Sequence, residues 1–276
     1  MRRTRIVSTI GPSSDSPEIL ESLLRAGVDV CRLNYSHGEP ATKTPIYERI
    51  RGFESIIGRP TCILADLPGP KLRLGEFPGV IVLVKGQSVE LHCGVAKMRN
   101  ASAAKLPVEY AGLSSELNVN DPVLIADGLI RLVVTQTKGK SAGIVKCVVD
   151  DGGPVSARKG INVPGTMVDL PAIGQHDKLA LEHALQNGAD YIAVSYVRTA
   201  ADLLPAKEAI KKAGQHVPII AKIEHPTALE NLEEILDVAD AVMVARGDLG
   251  VEIPLEQVPL AQQKIIDGAL QRGMPV

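Results

Sequence analysis

Hydrophobic and polar positions follow two rhythms along this chain, and the change from one to the other divides it. Short apolar runs at residues 5–10, 28–33 and 61–66 read as buried parallel strands. Between them, Ile19, Leu20, Leu23 and Leu24 recur at helical spacing within 16–26, and a second helical pattern fills 43–57. From about residue 72 to 155 the helical rhythm stops. Short β-rich runs replace it at 80–84, 88–92, 122–125, 130–134 and 143–149, separated by turn signals such as Asp127-Gly128 and Asp151-Gly152-Gly153. The alternation then resumes. Helices are expected at 177–186, 200–213, 228–238 and 256–271, strands at 191–195, 218–222 and 241–244, and a last strand from Met274. There is no longer internal repeat and no low-complexity tract.

Six βα units predict an α/β fold, a (β/α)₈ TIM-type barrel truncated after about six units, with an all-β lid domain inserted after the third strand. The expected division is 1–71 for the first part of the barrel, 72–157 for the lid and 158–276 for the second part. The competing architecture is a doubly wound open sheet. Against it, the first βα turn, Gly11-Pro12-Ser13-Ser14, lacks the Gly-x-Gly-x-x-Gly spacing of dinucleotide binders.

Composition narrows the function classes. With 276 residues, 45% hydrophobic and 22% charged, the chain can build a sizeable core. A net charge of −2 gives no sign of a nucleic-acid or membrane partner, so any anion site must be built locally. The apolar run after Met1-Arg2-Arg3 is too short for a signal sequence or a spanning helix. Cys31, Cys62, Cys93 and Cys147 are dispersed and read as reduced structural thiols of a cytoplasmic protein. Cysteines and histidines show no zinc spacing; His37, His176 and His225 read as surface residues.

Chemistry gathers where the strands end. Thr9-Ile10-Gly11-Pro12 follows the first strand, Arg32 to Gly38 the second and Asp66 to Arg73 the third. Ser195 and Arg198 follow the fourth, Lys222 and Glu224 end the fifth, and Arg246, Gly247 and Asp248 end the sixth. In a barrel that rim is where ligands bind. Ile220, Lys222 and Glu224 share one face of a two-periodic strand, and Asp248 comes one βα unit later. Two carboxylates without soft ligands suit Mg²⁺, which takes its remaining ligands from water and phosphate. Lys222, Glu224 and Asp248 are therefore expected to form one site.

The motifs Thr-Ile-Gly-Pro, Arg-Leu-Asn-Tyr-Ser-His-Gly, Gly-Pro-Lys-Leu-Arg, Lys-Gly-Ile-Asn-Val-Pro-Gly, Ala-Val-Ser-Tyr-Val-Arg, Lys-Ile-Glu and Met-Val-Ala-Arg-Gly-Asp-Leu-Gly-Val-Glu occur in that order. Together they resemble pyruvate kinases, from about Arg5 to Val276. The resemblance implies a barrel with a β lid and phosphoryl transfer from phosphoenolpyruvate to ADP, giving pyruvate and ATP in glycolysis. It implies that Lys222 and Arg32 are catalytic, and that Glu224 and Asp248 hold Mg²⁺. Arg32, Ser195, Lys222, Gly247 and Asp248 would meet the substrate. Asn34, Tyr35, Ser36, His37, Arg73 and Lys159 would lie on the nucleotide side. A monovalent-cation region would use Asn34, Ser36, Asp66 and the position of Leu67. Most family members carry threonine at Leu67 and an acid at Lys71, so the ammonium of Lys71 is expected to replace K⁺, which is then not required.

The family pattern also continues beyond Gly273-Met274-Pro275-Val276, into a threonine segment, the last barrel strands and a C-terminal domain. The chain as given is thus expected to have an incomplete substrate site, to be poorly active, and to associate through open sheet edges. The family's homo-oligomer is doubtful for it. Two other readings stay open: an Mg²⁺-dependent pyruvate or oxaloacetate aldolase on the same barrel, and a non-catalytic chain that binds a ligand or partner.

Overall fold

The two rhythms of the sequence become two structural units in the computed structural model, which describes residues 4–137 and 143–276. The first unit comprises Met1–Pro70, Pro171–Ala245 and Ala261–Val276, and the second Lys71–Leu170 and Arg246–Leu260. The Met1-Arg2-Arg3 segment read above lies outside the described residues.

The chain opens with β1 (Val7–Ile10), α1 (Pro17–Ala26), β2 (Val30–Asn34), α2 (Thr44–Ile57) and β3 (Cys62–Asp66). It continues through β4 (Leu72–Arg73), β5 (Val80–Leu83), β6 (Ser88–Cys93), β7 (Lys105–Val108), the short α3 (Leu113–Glu116), β8 (Pro122–Ile125), β9 (Ile130–Thr137), β10 (Ile144–Asp151), β11 (Gly153–Ser156) and β12 (Gly160–Asn162). It returns with α4 (Gln175–Gln186), β13 (Tyr191–Val194), α5 (Leu204–Lys212), β14 (Ile219–Ile223), α6 (Pro226–Glu230), α7 (Leu232–Val238), β15 (Ala241–Val244), α8 (Arg246–Glu252) and α9 (Val258–Gln271).

Local chemistry sets the boundaries. Ser16 caps α1 by accepting from Ile19 N, Pro17 fills a first-turn position that needs no N–H donor, and Gly27 ends the helix at φ 104°. Leu20 and Leu24 then lie on its buried face.

In the first unit six strands form one parallel sheet in the order β1-β2-β3-β13-β14-β15. The strands follow chain order without reversal, whereas a doubly wound sheet reverses at a switch point. The fold is therefore α/β, with six consecutive βα units of a TIM-type barrel. Its core packs strand residues such as Leu33, Ile63, Ile192, Val194, Ala221 and Ile223 against helix residues including Leu20, Ile50, Leu181 and Ile235. Burial of both sheet faces explains the near-continuous apolar runs.

The second unit has a seven-stranded sheet, β4-β12-β8-β9-β10-β6-β7, and a separate β11-β5 pair. Its core includes Leu91, Leu106, Val123, Leu132 and Val145. It reaches past residue 157 to Leu170 because β12 pairs antiparallel with β4 and β8. It also takes in residues 246–260, and Asn162 Nδ2 donates to Glu252 Oε1 at 3.0 Å.

Several sequence expectations need correction. Arg246, Gly247 and Asp248 do not end a strand: β15 stops at Val244 and Arg246 opens α8. The helix expected over 228–238 is broken at Asn231 into α6 and α7. No strand starts at Met274, although Val242 N donates to Pro275 O at 3.1 Å. The sequence does not announce β4 and β12, of two and three residues, because they are too short to show a period, nor β7 and β11, because Pro107 and Pro154 demote those runs as strands.

All four cysteines are free, three buried and Cys62 partly so. Burial pushes the Cys31, Cys62 and Cys147 thiols up to about 12 and Cys93 to about 11. Because the thiolate is the nucleophile, folded protein at pH 8 should react with a thiol reagent about a thousandfold more slowly than free cysteine. All four thiols should appear on denaturation; rapid labelling of the native protein would contradict the buried reading.

Candidate functional site

The strand ends of the first unit set a small charged cluster in an apolar frame. Thr9 of β1 stands in register with Arg32 of β2, and Asn34 with Asp66 of β3. Arg32 and Asp66 therefore point to the same side of neighbouring strands, two residues apart. Arg32 Nε and Nη2 reach Asp66 Oδ2 at 2.7 and 2.5 Å, and Nη1 donates to Thr9 Oγ1 at 2.7 Å.

Lys222, the fourth residue of β14, occupies the centre. Its Nζ is 3.1 Å from Asp66 Oδ1, 2.8 Å from Glu224 Oε1 and 2.7 Å from Ser195 Oγ. Asp66, Lys222 and Glu224 are 1%, 7% and 3% exposed. Burial alone would lower the Lys222 ammonium, but the Glu224 and Asp66 carboxylates more than offset it and hold the group above the ordinary lysine value. Two cations and two carboxylates leave the cluster formally neutral, which suits its burial.

Main-chain groups complete the arrangement. Tyr196 sits at φ 58°, in the left-handed region, and its N–H donates to Glu224 Oε2 at 2.7 Å. Such backbone costs about 1–3 kcal/mol and is kept where the surroundings require it. Ser195 Oγ donates to Leu67 O at 2.7 Å. The Leu67 side chain is buried in the core, but its carbonyl oxygen lies in the cluster. Leu67 thus brings a main-chain oxygen to this corner but no side-chain oxygen.

The expected nucleotide-side residues divide. Asn34 Oδ1 accepts from Ser36 N at 2.9 Å, and exposed His37 is anchored through its carbonyl, which accepts from Lys43 Nζ at 2.7 Å. Tyr35 points the other way and its ring is buried. Its hydroxyl meets Tyr47 at 3.2 Å and His183 Nδ1 at 2.9 Å, while His183 Nε2 meets Thr44 Oγ1 at 2.9 Å. Burial pushes the Tyr35 phenol up to about 12. Its side chain is a core group, not a nucleotide contact.

Arg73 and Lys159 come together at the β4–β12 corner of the second unit. Arg73 pairs with Gly160, its Nη1 donates to Arg158 O at 3.2 Å, and Leu74 N donates to Lys159 O at 2.9 Å. Lys71 is an exposed residue of this unit, and Gly247 and Asp248 stand in the first turn of its helix α8.

Other strand-end residues have structural partners. Arg198 pairs with Asp202 at 3.5 Å. His225, expected at the surface, is buried and caps α6 by accepting from Thr227 N at 3.2 Å. Asp66, which the sequence places only in the monovalent-cation region, bridges Arg32 and Lys222. The same-side offset of Arg32 and Asp66 was the available signal.

Among the described residues no three of His, Cys, Asp and Glu converge as a metal cage. Buried Glu224, with Asp66 and Ser195 beside it, offers hard oxygen donors only. That set fits a magnesium-type ion that takes most of its ligands from water and phosphate. Among the described residues no helix is long and apolar enough to cross a membrane.

The family model described as pyruvate kinase, barrel domain, matches residues 1–276. The chain is 43% identical over 276 residues to a pyruvate kinase of Mycobacterium intracellulare, covering all of this chain and 57% of the relative. It is 42% identical to that of Mycobacterium tuberculosis H37Rv with the same coverage, and 43% identical to that of Methylorubrum extorquens, covering 56% of it. The chain thus spans somewhat more than half the length of these curated relatives.

Proposed function

The chain belongs to the pyruvate kinase family, and we propose that the protein transfers the phosphoryl group of phosphoenolpyruvate to ADP, giving pyruvate and ATP in the cytoplasm. The observation that carries this reading is the buried Lys222 ammonium held between Asp66 and Glu224, with Arg32 and Ser195 alongside. Phosphoryl transfer asks mainly for positioning and for fixed positive charge around the transferring oxygens. The cluster supplies both, since its cations are already oriented by carboxylates and strand ends.

In this reading the P–O bond to the enol oxygen breaks as a terminal oxygen of ADP bonds to phosphorus. Lys222 steadies the oxygen that is left as the enolate, which then gains a proton at carbon to become pyruvate. Arg32 clamps the phosphoryl oxygens, and Ser195 fixes the Lys222 ammonium. The main-chain N–H groups of Gly247 and Asp248 orient the substrate. Glu224 and Asp248 would hold Mg²⁺, which would supply further neutralisation of phosphate charge. On the nucleotide side we assign Asn34, Ser36, His37, Arg73 and Lys159.

K⁺ is not required in this proposal, because Lys71 adds a fixed positive charge where most family members have an acid. The test is a phosphoenolpyruvate- and ADP-dependent assay on the full-length protein with Mg²⁺, comparing KCl with tetramethylammonium chloride at matched ionic strength. Turnover should change by less than about twofold, while Lys71→Glu should create K⁺ activation of about tenfold or more. Strong K⁺ activation of the unaltered protein would overturn the Lys71 assignment.

A further inference from the structure

Asp177 lies within the third residue of α4 from its start, is 2% exposed, and has a carboxylate that serves two separate stretches of backbone. Its Oδ2 accepts from Gly174 N at 3.0 Å, which caps the helix. Its Oδ1 accepts from Gly69 N at 2.7 Å, more than a hundred positions away in the chain. One carboxylate oxygen would suffice for the cap, so the second bond has its own consequence.

That consequence is found at Ser195. Leu67 to Gly69 fold over this residue. Leu67 N donates to Ala193 O at 2.9 Å, Ser195 Oγ donates to Leu67 O at 2.7 Å, and Gly69 lies so close that an added Cβ would be 2.7 Å from Ser195 Cβ. Gly69 also has φ +71°, which favours glycine. Ser195 Oγ in turn receives the Lys222 ammonium at 2.7 Å. The turn is held at one end by the sheet and at the other by Asp177.

We infer that Asp177 is a positioning residue for the phosphoryl site: by holding Gly69 N it keeps the Leu67–Gly69 turn pressed on Ser195 and so keeps Ser195 under Lys222. The inference rests on the reading of Lys222 as the phosphoryl-handling group. Small misplacements of such a group cost rate strongly, about a hundredfold for an ångström.

Two variants of the full-length protein separate this role from support of the start of α4. Asp177→Ala removes both bonds. Lys178→Gly, at an exposed position one residue on, weakens the start of α4 and removes neither bond. Asp177→Ala should lower kcat about 10–100-fold with KM for phosphoenolpyruvate changed less than about threefold, while Lys178→Gly should stay within about twofold of the parent in kcat. By hydrogen exchange the Gly69 amide should open at least about tenfold faster in Asp177→Ala only. If Asp177→Ala does not fold, Asp177→Asn takes its place. Its single carbonyl oxygen can serve only one of the two N–H groups, so a smaller kcat loss is expected. Equal kcat in both variants, or faster Gly69 exchange without a kcat loss, overturns the inference. A parent protein that transfers no phosphoryl group refutes instead the function on which it rests, and the exchange data still report on the tie.

Discussion

Replacing Lys222 with methionine in the full-length protein is expected to lower turnover by about 10³–10⁵-fold, the range seen when a cation is withdrawn from a phosphoryl-transfer site. By rate theory that is about 4–7 kcal/mol of lost barrier reduction. The substitution also leaves Asp66 and Glu224 facing each other in a buried place, with only Arg32 as counter-charge. Stability should therefore fall as well, by about 3–5 kcal/mol, as when one partner of a buried ion pair is removed. The two effects are separable. Lys222→Met combined with Glu224→Gln removes one charge of each sign and should regain part of the stability, measured by denaturant unfolding, without regaining turnover. Recovery of turnover in the double variant would mean that Lys222 acts only as a structural counter-ion.

Glu224→Gln alone is the second large effect. Glutamine keeps a carbonyl oxygen for the Tyr196 N–H, and Lys222 keeps Asp66, so the frame should survive. The negative charge is lost, and a hard divalent cation depends on it. The half-saturating Mg²⁺ concentration should rise about 10–100-fold. Calorimetric titration of the metal into the protein checks this without reference to turnover. Unchanged affinity would remove Glu224 from the metal site.

Much of the first unit could be read from the sequence, because parallel strands buried on both faces leave unmistakable apolar runs between amphipathic helices. The pairing of Lys222 with Glu224 was also legible, since strand parity and a strand end put both on one rim. Asp66 escaped because its role comes from the register of β2 against β3, which no single strand reveals. Asp177 escaped for a similar reason: the spacing from Gly174 announces a helix cap, but the bond to Gly69 joins distant parts of the chain. Tyr35 misled because its motif neighbours face the other way, and alternate strand-end residues can serve a site and a core in turn. In the second unit the strands from 72 to 162 include several too short to show a period. α8 was hidden behind the apolar run of β15, whose end at Val244 is marked by no proline or glycine before Arg246.

The central claim is that the Arg32–Asp66–Lys222–Glu224 cluster handles a phosphoryl group. ³¹P NMR on the full-length protein with phosphoenolpyruvate, ADP and Mg²⁺ tests it most directly, beside a parallel reaction with oxaloacetate and no nucleotide. The phosphoenolpyruvate resonance should be lost as the γ-phosphate of ATP grows in equal amount, with both changes absent in Lys222→Met. Carbon–carbon cleavage of oxaloacetate without ADP, and no phosphorus transfer, would contradict it and make the cluster an aldolase site.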